Sequence, residues 1–125
     1  MEPGLFGEHS LVVDESKCAR VAVLRGRARL FATPEMIRAM EIACYNAVDS
    51  CLSENQGTVG TFVNVKHTRA TPTGDTVIAR GELVKVDGRK LLFHVEARDS
   101  RGDIGRGEHG RYIVDIEDFV SSLKG

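Results

Sequence analysis

The spacing of apolar residues divides the chain into two kinds of segment. Residues 58–68 (TVGTFVNVKHT), 76–86 (TVIARGELVKV) and 89–99 (RKLLFHVEARD) alternate apolar and polar positions, which predicts strands. In the first of these, Val59, Thr61, Val63, Val65 and His67 fall on one face. In the third, Leu91, Phe93, Val95 and Ala97 face inward. Asp87-Gly88 between the second and third is a strong hairpin signal. TPTGD (71–75) and SRGD (100–103) predict turns. Residues 5–14 (LFGEHSLVVD) read as a first strand, and residues 104–116 (IGRGEHGRYIVDI) as a last one weakened by three glycines. Residues 19–31 are apolar enough for a strand, but Gly26 and several arginines point equally to a loop. Residues 117–123 suit a short terminal helix.

A long helical pattern runs from Thr33 to Leu52. Thr33 is a good N-cap, Pro34 suits the first helical position, and Glu35 suits the positive end of the dipole. On a helical wheel Ile37, Met40, Cys44, Val48, Cys51 and Leu52 gather on one arc, opposite Arg38, Asn46, Asp49 and Ser50. Glu41 lies within or at the edge of that apolar arc. A carboxylate there is costly without a partner. It is either a structural acid, paired for example with Arg38, or a functional one.

The order of strand, long helix and then a meander of strands gives an α+β domain: an antiparallel sheet with one helix on one face. A five- to six-stranded antiparallel sheet wrapped around one long central helix is the hotdog fold. One such protomer leaves a sheet edge and one side of the helix uncovered, so a homodimer or a dimer of dimers is expected. At 125 residues a single domain spanning 1–125 is expected, long enough for a real core. With 17 basic and 18 acidic residues, the balance of −1 argues against a nucleic-acid partner. No apolar run is long enough for a membrane span, and the N-terminus lacks the pattern of a secretory signal. The three cysteines have no metal-like spacing, so no metal is expected. Cys44 and Cys51 lie two helical turns apart, ~10 Å, too far for a disulfide. They read as buried thiols of a reducing cytoplasm, and Cys18 as a surface thiol.

The runs MEIAC (40–44), GTVGTFVNVKHTRATPTGDTV (57–77) and GRGEHGRYIV (105–114) resemble the fluoroacetyl-CoA thioesterase family. That family is a branch of the hotdog-fold acyl-CoA thioesterases. The likeness covers about Leu30 to Ile116. It implies hydrolysis of a short acyl-CoA to free acid and coenzyme A at a dimer-interface site. The substrate is then a small-molecule thioester, and no cofactor is needed beyond the coenzyme A it carries. Thr33, Glu41 and His67 match the family's catalytic threonine, glutamate and histidine. Gly60 and Arg111 match its substrate-contact positions.

Each residue also has a plainer reading. Thr33 is an N-cap, His67 a satisfied core histidine, Gly60 a point of close backbone approach, and Arg111 a partner for Glu108 or Asp115. The chemistry nevertheless fits. A buried carboxylate with raised pKa serves as general base or attacks directly, and a histidine relays a proton. A backbone N–H near Gly60 or at the helix start offers an oxyanion donor. On one straight helix Thr33 and Glu41 are ~12 Å apart. Either Thr33 bends inward before the helix starts, or the site is shared across a dimer; the second is expected. A non-catalytic acyl-CoA-binding hotdog domain, sensor or carrier, is the alternative, but it would not need a buried acid. The chain departs from the family before Thr33. By the resemblance, fluoroacetyl-CoA enzymes carry a longer segment there, with aromatic residues forming a lid. Here it is shorter and basic, with Phe31 its only aromatic, so general acyl-CoA hydrolysis without a fluoroacetyl preference is expected. Arg20, Arg25, Arg27 and Arg29 either contact coenzyme A phosphates or form a solvated run.

Overall fold

The computed structural model describes residues 1–19 and 24–125. Among these, five strands form one antiparallel sheet: β1 (Phe6–Val12), β2 (Gln56–His67), β3 (Thr76–Asp87), β4 (Lys90–Asp99) and β5 (Gly102–Asp115). Helix α1 (Thr33–Val48) lies between β1 and β2 in the chain, and a short α2 (Ile116–Ser122) follows β5. The sheet order is β1-β3-β4-β5-β2. Only β3, β4 and β5 form a meander. β2 crosses to the far side of β5 and becomes an edge, with β1 at the other edge. One long helix against this sheet is the hotdog arrangement. The described part of residues 19–31 forms no strand; it makes a short helical turn at Leu24–Gly26 and isolated bridges from Leu30 to Pro72 and from Phe31 to Cys18. Arg20 lies outside the described residues.

The core is where the expected periods are obeyed. β4 buries Leu91, Phe93, Val95 and Ala97, and β3 buries Val77, Ala79 and Leu83. Against them α1 sets Met36, Ala39, Met40, Ala43, Cys44, Ala47 and Val48. Phe93 is wholly buried, and truncating such a side chain to alanine costs about 3–5 kcal/mol. The helix can lie this close because β1 and β3 present glycine beneath it. A Cβ on Gly81 would stand 2.5 Å from Cys44 Sγ, and one on Gly7 would strike the backbone of Ala43. α1 lies chiefly over β1 and β3, which leaves the inward face of β5 and β2 partly open.

Several local expectations change. β5 is the longest strand despite its glycines, because it is hydrogen-bonded on both sides and the two ladders outweigh its weak propensity. α1 ends at Val48, and a tight turn over Asp49–Cys51 rotates Cys51 out to solvent. Cys18 is instead buried, its Sγ 3.4 Å from the Asp14 carbonyl. Among the described residues no helix is long and apolar enough to cross a membrane.

The change that matters most for function concerns β2. Its clean alternation is broken by a bulge between Gly60 and Phe62. Gly60 pairs with Arg111, whereas Val63 pairs with His109 and His67 with Gly105. The extra residue shifts the phase by one. Before the bulge it is Thr58 and Gly60, not Val59 and Thr61, that share a face with Val63, Val65 and His67. That face also carries Leu91 and Phe93, so it is the one turned toward the helix.

Candidate active site

An ion pair with a buried carboxylate sets one end of the inward face. The Asp99 carboxylate is inaccessible to solvent and 2.8 Å from Arg69 Nη2. It also accepts from Thr71 Oγ1 and from the backbone N–H of Arg101, each at 2.8 Å. Burial alone would raise its pKa. The hydrogen bonds from Arg69, Arg101 and Thr71 outweigh that and hold it at about 2. The network pins the loop that follows His67. Within that loop the Thr71 carbonyl accepts the Phe31 N–H at 2.9 Å, drawing the approach to α1 alongside the end of β2.

Thr33 and His67 meet there. Thr33 Oγ1 is 2.8 Å from His67 Nδ1. The N-cap is Ala32, not Thr33: Thr33 is the first residue of α1 and Pro34 the second. The Thr33 hydroxyl is therefore not spent on capping and is free to face the imidazole. Phe31 stands edge-on to the same ring, with centroids 6.4 Å apart. Burial lowers the pKa of His67, with a smaller opposing pull from the Arg69 backbone. Burial thus favours the neutral ring, and among the described residues its Nε2 is buried without a hydrogen-bond partner in range. A neutral imidazole against a hydroxyl can take the hydroxyl proton.

Glu41 is held elsewhere. Its Oε2 lies 4.0 Å from Arg111 Nη1, and its side chain is 42% exposed rather than buried. Arg38 pairs instead with Glu35, at 3.8 Å. Arg111 is 10% exposed and fixed on two sides. Its Nε donates to Thr58 Oγ1 and its Nη2 to the Thr58 carbonyl, each at 2.8 Å. Its Nη1 is 3.1 Å from His109 Nε2. Glu108 and Asp115 have other partners, His94 and Arg89. Gly60 faces this cluster: a Cβ there would stand 3.3 Å from His109 Cε1 and 3.7 Å from Arg111 Nη1.

The five candidate residues thus fall into two groups. Thr33 and His67 form one; Glu41, Arg111 and Gly60 form the other. Along α1 the groups are eight residues apart, ~12 Å. Along β5, from Gly105 opposite His67 to Arg111, they are ~20 Å apart. Thr58 and His109 join the second group through Arg111, and sequence reasoning misses both. His109 sits two residues before Arg111, so on any strand the two share a face, and that spacing is the available signal. Thr58 turns inward only through the bulge, and period-two reading places it outside. Of the arginines before the helix, Arg25, Arg27 and Arg29 are exposed, and Arg29 lies 3.6 Å from Glu15.

A family model described as fluoroacetyl-CoA-specific thioesterase matches residues 13–117. The fluoroacetyl-CoA thioesterase of Streptantibioticus cattleyicolor is 40% identical over 95 residues, covering 76% of this chain and 68% of that protein. A solved structure of a fluoroacetyl-CoA thioesterase superposes with a TM-score of 0.90 at 35% identity, covering 99% of this chain and 96% of the other. A variant of that enzyme in complex with fluoroacetate and CoA gives 0.86 at 37% identity, covering 95% and 99%.

Proposed function

This chain belongs to the fluoroacetyl-CoA-specific thioesterase family and is a thioester hydrolase, and we propose that it cleaves short acyl-CoA thioesters at a site completed by a second copy of itself. The observation that carries the shared site is the separation of the two groups on an unbroken helix. Thr33 is already part of α1, so it does not bend inward to meet Glu41. Antiparallel pairing of two β2 edges offers the remedy. If the two-fold axis passes midway between residues 60 and 67, beside Val63, His67 stands opposite Gly60 of the partner subunit. Val63 and Phe62, at that midpoint, are 39% and 46% exposed, as an uncovered interface would be.

In such a site Glu41 acts as base toward a water or attacks the thioester carbonyl itself. In the first route the water oxygen bonds to the carbonyl carbon and its proton passes to Glu41. The oxyanion then collapses, and the C–S electron pair leaves on the coenzyme A sulfur. In the second, a Glu41 anhydride forms as the thiolate departs and water then opens it. Thr33 and His67 hold the reacting group and move the proton. Gly60 and Arg111 contact the substrate, and the bulge frees backbone at residue 61 beside the developing oxyanion.

The acyl pocket is expected to lack a fluorine-selective lid. Phe31, the one aromatic of the preceding segment, is 3% exposed and committed to the core beside His67. Thiol release over a panel of acyl-CoAs tests this. Turnover of acetyl-CoA and fluoroacetyl-CoA with kcat/KM within about tenfold of each other is expected, the scale of a small change in an apolar pocket. A ratio far above that in favour of the fluorinated substrate would mean that the pocket does carry a fluorine-selective element.

A further inference from the structure

We infer that His109 is a positioning residue: it grips Arg111 from behind and aims the guanidinium at Glu41. The inference rests on Glu41 being the base or nucleophile of the reaction. His109 is 2% exposed, and both its nitrogens are engaged. Nδ1 lies 2.8 Å from the Phe62 carbonyl, which only accepts, so Nδ1 carries the proton. Nε2 lies 3.1 Å from Arg111 Nη1, which only donates, so Nε2 must be bare. The two contacts therefore require the same neutral tautomer. Protonation at Nε2 would set N–H against N–H and release the arginine.

The rest of the surroundings suits this task. Thr58 fixes Nε and Nη2 of Arg111, and His109 takes one of the two Nη1 hydrogens. The other remains for the Glu41 carboxylate at 4.0 Å. Few side chains both donate at one end and accept at the other while staying rigid; a neutral imidazole does. Room for the ring comes from Gly60, and Phe93 packs beside it with centroids 6.5 Å apart. Among the described residues the titratable groups around the pair are Glu41 and Cys44 from α1. β2 and β4 present the Phe62 carbonyl, Gly60 and Phe93, none of which titrates there.

The test measures thiol release from acetyl-CoA and melting temperature on the full-length protein and two variants. His109→Gln keeps an acceptor near the Nε2 position; His109→Asn keeps a donor near Nδ1 but no acceptor that reaches Arg111. His109→Asn should lower kcat about tenfold or more, with KM changed less, the scale of a lost charge-assisted hydrogen bond. His109→Gln should keep kcat within about threefold of the parent, because the acceptor survives. In a Glu41→Gln background, His109→Asn should have no further effect on the residual rate, since it acts through Glu41. Equal losses of kcat in both variants, or an unchanged kcat in folded His109→Asn, would overturn the inference while leaving Glu41 in its role. Full activity of Glu41→Gln would instead remove the role of Glu41 itself. Should neither variant fold, ¹⁵N NMR of the parent decides: the Nδ1–H tautomer is expected, and an Nε2–H ring would overturn the inference.

Discussion

The Thr33–His67 pair and the Glu41–Arg111 pair belong to the same inward face of the sheet, yet they are held in opposite ways. Thr33 Oγ1 and His67 Nδ1 have one hydrogen bond between them, and the other ring nitrogen is buried without a partner among the described residues. Arg111 is gripped by Thr58 twice and by His109 once before it reaches Glu41. The first pair is suited to moving a proton, because either atom can give or take it. The second is suited to standing still, because a guanidinium with fixed donors presents the same charge throughout a reaction. A thioesterase needs both: a mobile proton and a fixed field around the carbonyl. That they lie ~12 Å apart along α1 is the reason for placing the working site between two chains.

The largest expected effect comes from the fixed side. Glu41→Gln keeps the shape of the side chain but removes its basicity, and turnover should fall ~10²-fold or more, the usual scale of a lost general base. The melting temperature should change little, because Glu41 is 42% exposed and its ion pair is long, and such pairs contribute little to stability. If Glu41→Gln instead lowered the melting temperature sharply while the folded fraction kept its specific activity, the carboxylate would be structural and the contrast would collapse.

On the mobile side the effect is smaller and appears with pH. Burial holds the His67 pKa below its ordinary value, so the ring stays neutral as pH falls past the usual histidine midpoint. The acid limb of kcat/KM should therefore lie below pH ~6.5. The folded state disfavours the protonated ring, so this histidine's contribution to stability is fully present above pH ~6.5, its unfolded value, and is lost as pH falls below that through the lowered folded-state pKa. A limb well above that value would mean a charged partner raises His67, contrary to its sparsely bonded setting.

β4 and β2 show what the chain makes legible and what it hides. β4 obeys its alternation from Leu91 to Ala97 because it is paired on both sides and packed beneath the helix, so the pattern alone places every inward residue. The long helix, the hairpin at Gly88 and the hotdog layering are readable for the same reason: each is fixed by local period and turn chemistry. β2 is a bulged edge strand. Its sequence alternates smoothly through Thr61, and nothing local marks the extra residue that turns Thr58 and Gly60 inward. Glu41 reads as buried because a helical wheel records angle but not which neighbours cover it; α1 leans toward β1 and β3 and leaves that flank open. Thr33 reads as a cap because its type suits one, but Ala32 takes that place and the hydroxyl serves His67. The candidate residues are legible one by one, and helix rise alone already separates Thr33 from Glu41. Which strand residues join each of them is not legible, because distance across a sheet is set by pairing order and register, which a single chain does not spell out.

Complementation between inactive protomers tests the shared site most directly. Glu41→Gln and His67→Ala proteins, each impaired alone, are mixed, dissociated and allowed to reassociate, and thiol release is measured against the parent. In a two-fold dimer with sites built across the interface, the mixed pair joins an intact Thr33 and His67 from one chain to an intact Glu41 from the other. Random reassociation then restores about a quarter of the parental sites. Activity that stays at the level of the separate variants, in a mixture shown to contain mixed dimers, would mean that Thr33, His67 and Glu41 act within one chain, and the interface site would be contradicted.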